Sequence, residues 1–427
     1  MQAATFAIKG DICWSKGPNE LACMSGGYLV CEKGVSQGVF PELPDRFAGI
    51  EVLDRAGMLV IPGMTDIHVH APQYAFRGLG MDLELLDWLN THTFPEESKY
   101  TDLAYAERAY EIFADDLRRS PTTRALIYGT MHVEPTELLM DKLERTGLKT
   151  FVGKVNMDRN SPDYLCESSA EASLADTRRW LDECEARSYV NTRPILTPRF
   201  TPTCSDELME GLGRIKQERG VPLQSHLSEN LSEIDWVAGL CPWSSCYGET
   251  YERFGQMAGE SGCVMAHCNY STDEEARILR DHGVFVAHCP QSNAQLSSGI
   301  APVRHYLDLG INVAIGTDVA GGATLSMFRA IADAVAASKL RWRLVDQSLA
   351  ALTTAEAFHL ATVGGGAFFG RVGSFDEGYE LDALVLDDAG IRTPRTCSLA
   401  ERLERYIYLA EQGGRIVEKY VAGARVL

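Results

Sequence analysis

Between residues 58 and 322, short apolar runs alternate with stretches long enough to form a helix, and most of the runs end in a polar or metal-capable residue. Eight runs fit this pattern: MLVIPGMTDIHVH, TRALIYGTMH, KTFVGKVNM, VNTRPILTPRF, VPLQSHLSE, CVMAHCN, VFVAHCPQSN and NVAIGTDVAGG. Between the first two, Leu103, Ala106, Ala109, Tyr110, Phe113 and Leu117 recur at helical spacing, which predicts an amphipathic helix capped by Thr101 or Asp102. Strands that alternate with helices pair in parallel, so eight such units predict an α/β fold, a (β/α)8 TIM-type barrel over residues 58–364. The flanks differ in texture. Residues 1–57 and 365–427 read as short strands and turns, exemplified by GPNE, SGG and GSFDEGYELDALVLD, and are expected to unite both termini in one small β-sandwich domain.

The ends of the runs carry the chemistry. Run one finishes in His68-Val69-His70, and alternate residues of a strand share a face, so both imidazoles can meet one ion. Barrel active sites gather at the C-terminal strand ends, where His70 stands before Ala71-Pro72. His226 in QSHLSEN, His267 in MAHCN and Asp318 in GTDVAGG end three further runs in the same way. As plain core these groups would be costly, because each ring and the carboxylate would need a partner. Zinc resolves that cost with imidazole and carboxylate donors, and iron is admitted by the same set, whereas Mg2+ would not select histidine.

Glu229 stands three residues beyond His226, where a loop can carry it over the ion as general acid and base; a solvated acid or a helix N-terminal charge is the alternative. His132-Val133-Glu134 imitates half of the cytidine-deaminase zinc signature, but no Pro-Cys-x-x-Cys follows it. His132 therefore reads either as mouth-lining or as core. Cys263, Cys268 and Cys289 lie in apolar runs and read as buried hydrophobes rather than ligands.

A net charge of −19 repels phosphate backbones and anionic membranes, which excludes a nucleic-acid polymer as partner but leaves a small neutral base unaffected. The N-terminus MQAATFAIKGDICW lacks the pattern of a secretory signal, and no apolar run approaches the roughly 18 residues of a membrane span. Twelve cysteines without repeated spacing then point to thiols in a reducing cytoplasm.

PGMTDIHVHAPQY, LLDWLNTHTFPEE, TPRFTPTCS, QSHLSEN, AHC, HCPQSN and GTDVAGG together resemble the guanine deaminases of the amidohydrolase superfamily over about residues 58–330. The resemblance implies hydrolytic deamination of guanine to xanthine and ammonia by a zinc-activated water, in purine catabolism and in a homodimer. It implies that His68, His70, His226 and Asp318 hold zinc, that Glu229 shuttles protons, and that His267 and Asp318 orient and deprotonate the water. Gln73, Arg199 and Phe200 are implied to meet the base, which agrees with guanine's carbonyl, its flat face and its ring-edge groups. Trp88 and Phe94 fall in a loop able to close over the base or simply to pack. His288 and Asn293 occupy a strand-end motif without individual roles, and Gln291 stands where the family more often has Asn, which bears on the pocket wall. Neighbouring readings are an amidohydrolase of another amino-heterocycle, such as 8-oxoguanine, a pterin or a triazine, and a non-catalytic scaffold that would need no stoichiometric metal.

Overall fold

A computed structural model describes residues 5–427. The chain opens with β1 (Phe6–Gly17), β2 (Glu20–Glu32), β3 (Val35–Phe40) and β4 (Glu51–Pro62). Each of the eight apolar runs then supplies a strand: β5 (Met64–His70), β6 (Thr122–Tyr128), β7 (Lys149–Gly153) with its extension β8 (Val155–Asn156), and β9 (Thr192–Pro194) with β10 (Thr197–Pro198). The series continues with β11 (Leu223–Leu227), β12 (Cys263–His267), β13 (Phe285–His288) and β14 (Asn312–Ile315), and β15 (Ala383–Asp387), β16 (Arg415–Val421) and β17 (Ala424–Arg425) follow.

Parallel pairing orders β5-β6-β7-β9 in one four-stranded sheet and β11-β12-β13-β14 in another. Backbone hydrogen bonds join the two sheets on both sides. On one, Leu196 N–H donates to Pro222 O (2.8 Å) and Gln224 N–H to Leu196 O (2.9 Å); on the other, Asp318 N–H donates to His68 O (2.8 Å) and His70 N–H to Val319 O (3.0 Å). Ile67, Leu126, Ile195, Val264, Ala287 and Ala314, drawn from strand after strand, form one buried cluster, while a larger cluster lies between the strands and the helices outside them. Enclosure on both faces is why β5 and β6 are buried along their whole length and read as continuous rather than alternating apolar runs. Among the described residues, no helix is long and apolar enough to cross a membrane.

The helix anticipated after the first strand runs from Leu103 to Arg119, and Asp102 is its cap, accepting the Ala104 N–H at 2.9 Å. Its buried face is Ala106, Tyr110, Phe113, Ala114 and Leu117, whereas Leu103 is 50% exposed. Asp102→Ala is expected to cost about 1 kcal/mol of stability, read as a lower midpoint at unchanged slope in urea unfolding.

The termini do come together, in one seven-stranded sheet of order β17-β16-β15-β4-β1-β2-β3. The reason is β4, which pairs in parallel with β1 and antiparallel with β15 and so threads both ends of the chain into a single ladder. Register shifts interrupt the pairing of β1 with β2 between Gly10 and Ile12 and with β4 between Lys9 and Asp11, and pairing resumes beyond each. Phe6, Ile8, Ile12, Leu29, Val60 and Val385 pack in one cluster, and Ala7, Val30 and Phe47 in another.

Candidate active site

Strand ends deliver the polar cluster. His68 and His70 close β5, His226 comes from β11, His267 ends β12, and Asp318 follows β14 by three residues. The Nε2 atoms of His68 and His70 are 3.2 Å apart, and those of His70 and His226 are 3.3 Å apart. Asp318 Oδ1 lies 3.2 Å from His68 Nε2 and 3.4 Å from His70 Nε2. Desolvation pushes the His70 and His226 imidazoles well below their ordinary range, and the neighbouring rings push in the same direction. His226 donates Nδ1–H to Arg199 O at 2.7 Å, so its Nε2 lone pair points into the cluster. Burial raises the Asp318 carboxyl, but the imidazoles of His68, His267 and His70 outweigh it and hold that group below the usual carboxylate range.

Local backbone geometry aims these groups. His267 and Asp318 adopt left-handed conformations, with φ of 72° and 47°, which cost on the order of 1 kcal/mol each and persist only where packing dictates them. Gly316 leaves the room required: a Cβ there would lie 2.8 Å from His68 Cβ and 3.1 Å from Cys289 Sγ. Within β5, the buried Asp66 accepts from Thr317 N–H (3.0 Å), Thr317 Oγ1–H (2.5 Å) and His68 N–H (3.3 Å), tying the His68 strand to the Asp318 loop. Burial lifts its carboxyl to about 7 against those bonds.

Glu229 is buried beside this cluster, with Oε2 3.4 Å from His267 Nε2 and Oε1 accepting from Ser298 Oγ–H at 2.8 Å. Desolvation raises its carboxyl above the ordinary range. His267 donates Nδ1–H to Asn293 Oδ1 (2.8 Å), Asn293 Nδ2–H donates to Asn269 Oδ1 (2.8 Å), and Asn269 Nδ2–H donates to Glu229 O (3.0 Å). Asn293, which had no individual role in the sequence reading, thus orients the His267 ring.

A cleft opens over the cluster, and His70, His226, Glu229, His267 and Asp318 form its floor. Gln73, Trp88, Arg199 and Phe200 line its walls together with Leu85, Leu89 and Leu296. Trp88 does not lie in a loop: Leu85–Glu97 is helical throughout, and the Trp88 indole N–H is anchored on Leu79 O at 3.2 Å. Phe94 is not among the lining residues but lies under the Arg199 guanidinium, 5.1 Å from ring centroid to Cζ.

Other expectations shift. His132 occupies the N-cap position of the helix Val133–Thr146 without a capping bond from its side chain, and is not among the residues lining the cleft. Gln291 points away from the cleft, accepting from Ala323 N–H at 2.7 Å and donating to Asp333 at 3.1 Å, so the departure from Asn leaves this wall untouched. His288 is buried and pushed down to about 4 by desolvation. Cys289 is buried as expected, yet its sulfur lies with donor atoms of His68, His267 and Asp318 in a group spanning no more than 4.8 Å. Burial pushes its thiol well above the ordinary range, which disfavours the thiolate that metal binding requires. Glu233 also lines the cleft and accepts from Glu229 N–H at 3.0 Å. The sequence reading missed Asp66, Glu97, Glu233, Asn269 and Ser298, because single acids, amides and hydroxyls carry no spacing signal until the fold brings them together.

The amidohydrolase family model matches residues 59–423. The chain belongs to the amidohydrolase family. This amidohydrolase is 38% identical over 382 residues to the guanine deaminase of Dictyostelium discoideum, a match covering 88% of this chain and 84% of the relative. To the guanine deaminase of Escherichia coli it is 34% identical over 395 residues, covering 88% and 86% respectively. Among solved structures, a guanine deaminase from C. acetobutylicum with guanine bound in its active site superposes with a TM-score of 0.94 at 43% identity, covering 99% of this chain and all of the other. The motif resemblance at residues 58–330 therefore extends over nearly the whole amidohydrolase chain, terminal strands included.

Proposed function

We infer that the chain hydrolyses guanine to xanthine and ammonia. The observation that carries this reading is a single cleft floored by three imidazoles, Asp318 and Glu229 and walled by Gln73, Arg199 and Phe200. The two parallel sheets, hydrogen-bonded to each other on both sides, are read as one closed eight-stranded barrel whose C-terminal mouth is this cleft.

The donor set fits zinc. Neutral imidazole nitrogens 3.2–3.3 Å apart present lone pairs to one another, an arrangement that a shared cation converts from repulsion to coordination. His68, His70, His226 and Asp318 would hold the ion, and iron(II) satisfies the same donors. Zinc bound there would supply Lewis acidity that brings the pKa of a water down to about 7.

The chain's own groups do the remaining work. Arg199 donates to the guanine carbonyl, Phe200 meets the flat face, and Trp88 covers the apolar side of the cleft. Glu229 accepts one proton from the attacking water and delivers it to a ring nitrogen as carbon 2 becomes tetrahedral. Asp318, with His267 orienting the water, takes the second proton as the carbon–nitrogen bond breaks. That proton passes to the departing amine through Glu229, so carbon 2 keeps the oxygen as a carbonyl and both carboxylates are regenerated. Cytoplasmic placement is supported by twelve free cysteines, and a homodimer rests on the resemblance alone. Ammonia release from guanine, followed with and without a chelator, tests the whole reading: release that chelation abolishes and zinc restores is expected, whereas no release from guanine by zinc-loaded protein would refute it.

A further inference from the structure

The helical run Leu85–Glu97 ends in a carboxylate that the mechanism above does not use. Glu97 is only 5% exposed, and both of its oxygens are occupied by the two polar side chains of the cleft wall. Arg199 Nη1–H donates to Oε2 at 2.5 Å and Nη2–H to Oε1 at 3.2 Å, while Gln73 Nε2–H donates to Oε1 at 2.9 Å. Arg199 and Gln73 are themselves 4% and 3% exposed, so little water competes for these bonds. Glu97 does not line the cleft.

An ionised carboxylate only accepts. Gln73 must therefore turn its NH2 toward Glu97, which leaves its carbonyl oxygen as the acceptor, 3.4 Å from the Ala320 N–H, on a side chain that lines the cleft. Arg199 spends two N–H groups on the same carboxylate and keeps its remaining donors free. The cleft wall consequently offers a fixed acceptor beside a fixed cluster of donors. That pair complements the edge of a base on which a carbonyl oxygen adjoins a ring N–H. The carboxylate also neutralises a guanidinium that would otherwise be buried unpaired, so a neutral base meets a site without net charge on this wall.

We propose that Glu97 is a positioning residue that sets specificity: it fixes the Gln73 amide as acceptor and the Arg199 guanidinium as donor, selecting purines that carry a carbonyl beside a ring N–H. The proposal rests on the guanine reading above and deepens it. Glu97 touches no reacting atom, so its loss should act on binding rather than on turnover.

The test is Glu97→Gln in the zinc-loaded full chain. Whichever way the introduced amide turns, one of its N–H groups faces a donor of Arg199 or Gln73. KM for guanine is expected to rise by about 30-fold with kcat within about 3-fold of wild type, and zinc content unchanged. The Ki of 2-aminopurine, which lacks both the carbonyl and the adjacent N–H, should move less than about 3-fold, and this selectivity is what a merely structural role would not give. Glu97→Asp, which keeps the charge but retracts it by one methylene, should fall between the two and serves if Glu97→Gln does not fold. Equal weakening of both ligands, a loss confined to kcat, or wild-type KM in the variant that folds would overturn the proposal. Failure of the guanine reading looks different: wild type itself would release no ammonia from guanine, and the clamp would fall with it.

Discussion

Glu229→Gln should keep stoichiometric zinc while losing roughly 10³-fold in turnover on guanine. The substitution preserves size and the hydrogen bond from Ser298, which reaches Oε1 at 2.8 Å, so the site has no reason to collapse. It removes the one group that stands 3.4 Å from His267, above the metal-capable floor, with a carboxyl raised by burial. An amide cannot take a proton from water and return it to a leaving amine. Steady-state ammonia release combined with metal analysis checks the point; a variant with wild-type kcat would strip Glu229 of the shuttle role.

Asp318→Asn is expected to weaken zinc by at least about 100-fold in competition with a chelator, and to remain about 10³-fold slower even with excess metal. The carboxylate stands 3.2 Å from His68 Nε2 and 3.4 Å from His70 Nε2 and, among the described residues, is the only anion that reaches both rings. Replacement by an amide leaves the shape and withdraws the charge, so one substitution removes a ligand and a base together. Saturating zinc separates the two effects: recovery of full turnover would leave Asp318 as ligand only, and unchanged affinity with unchanged turnover would remove it from both roles.

Much of this site was legible because its residues announce themselves through spacing. His68-Val69-His70 shares a strand face, and His226, His267 and Asp318 each end an apolar run; the fold brings their atoms within a few ångströms of each other. Gln73, Trp88, Arg199 and Phe200 were readable only through the motif resemblance, and all four line the cleft. The terminal sheet shows the opposite case. Its strands were anticipated at both ends of the chain, yet pairing partners hundreds of residues apart, such as Leu59 with Leu386, leave no mark on local pattern, so the strand order was not legible.

The sequence by itself determined the strand-and-helix alternation, the donor types at the strand ends and the position of Glu229 just past β11, because periodicity and residue chemistry are local properties. Only the tertiary structure decided which amides and acids stand behind those donors. Asn293 on His267, Asp66 under His68 and Glu97 between Arg199 and Gln73 each depend on a partner 2 to 251 positions away in the chain. Hydrogen bonds of that kind are chosen by burial and by proximity in space, and neither exists until the chain has folded.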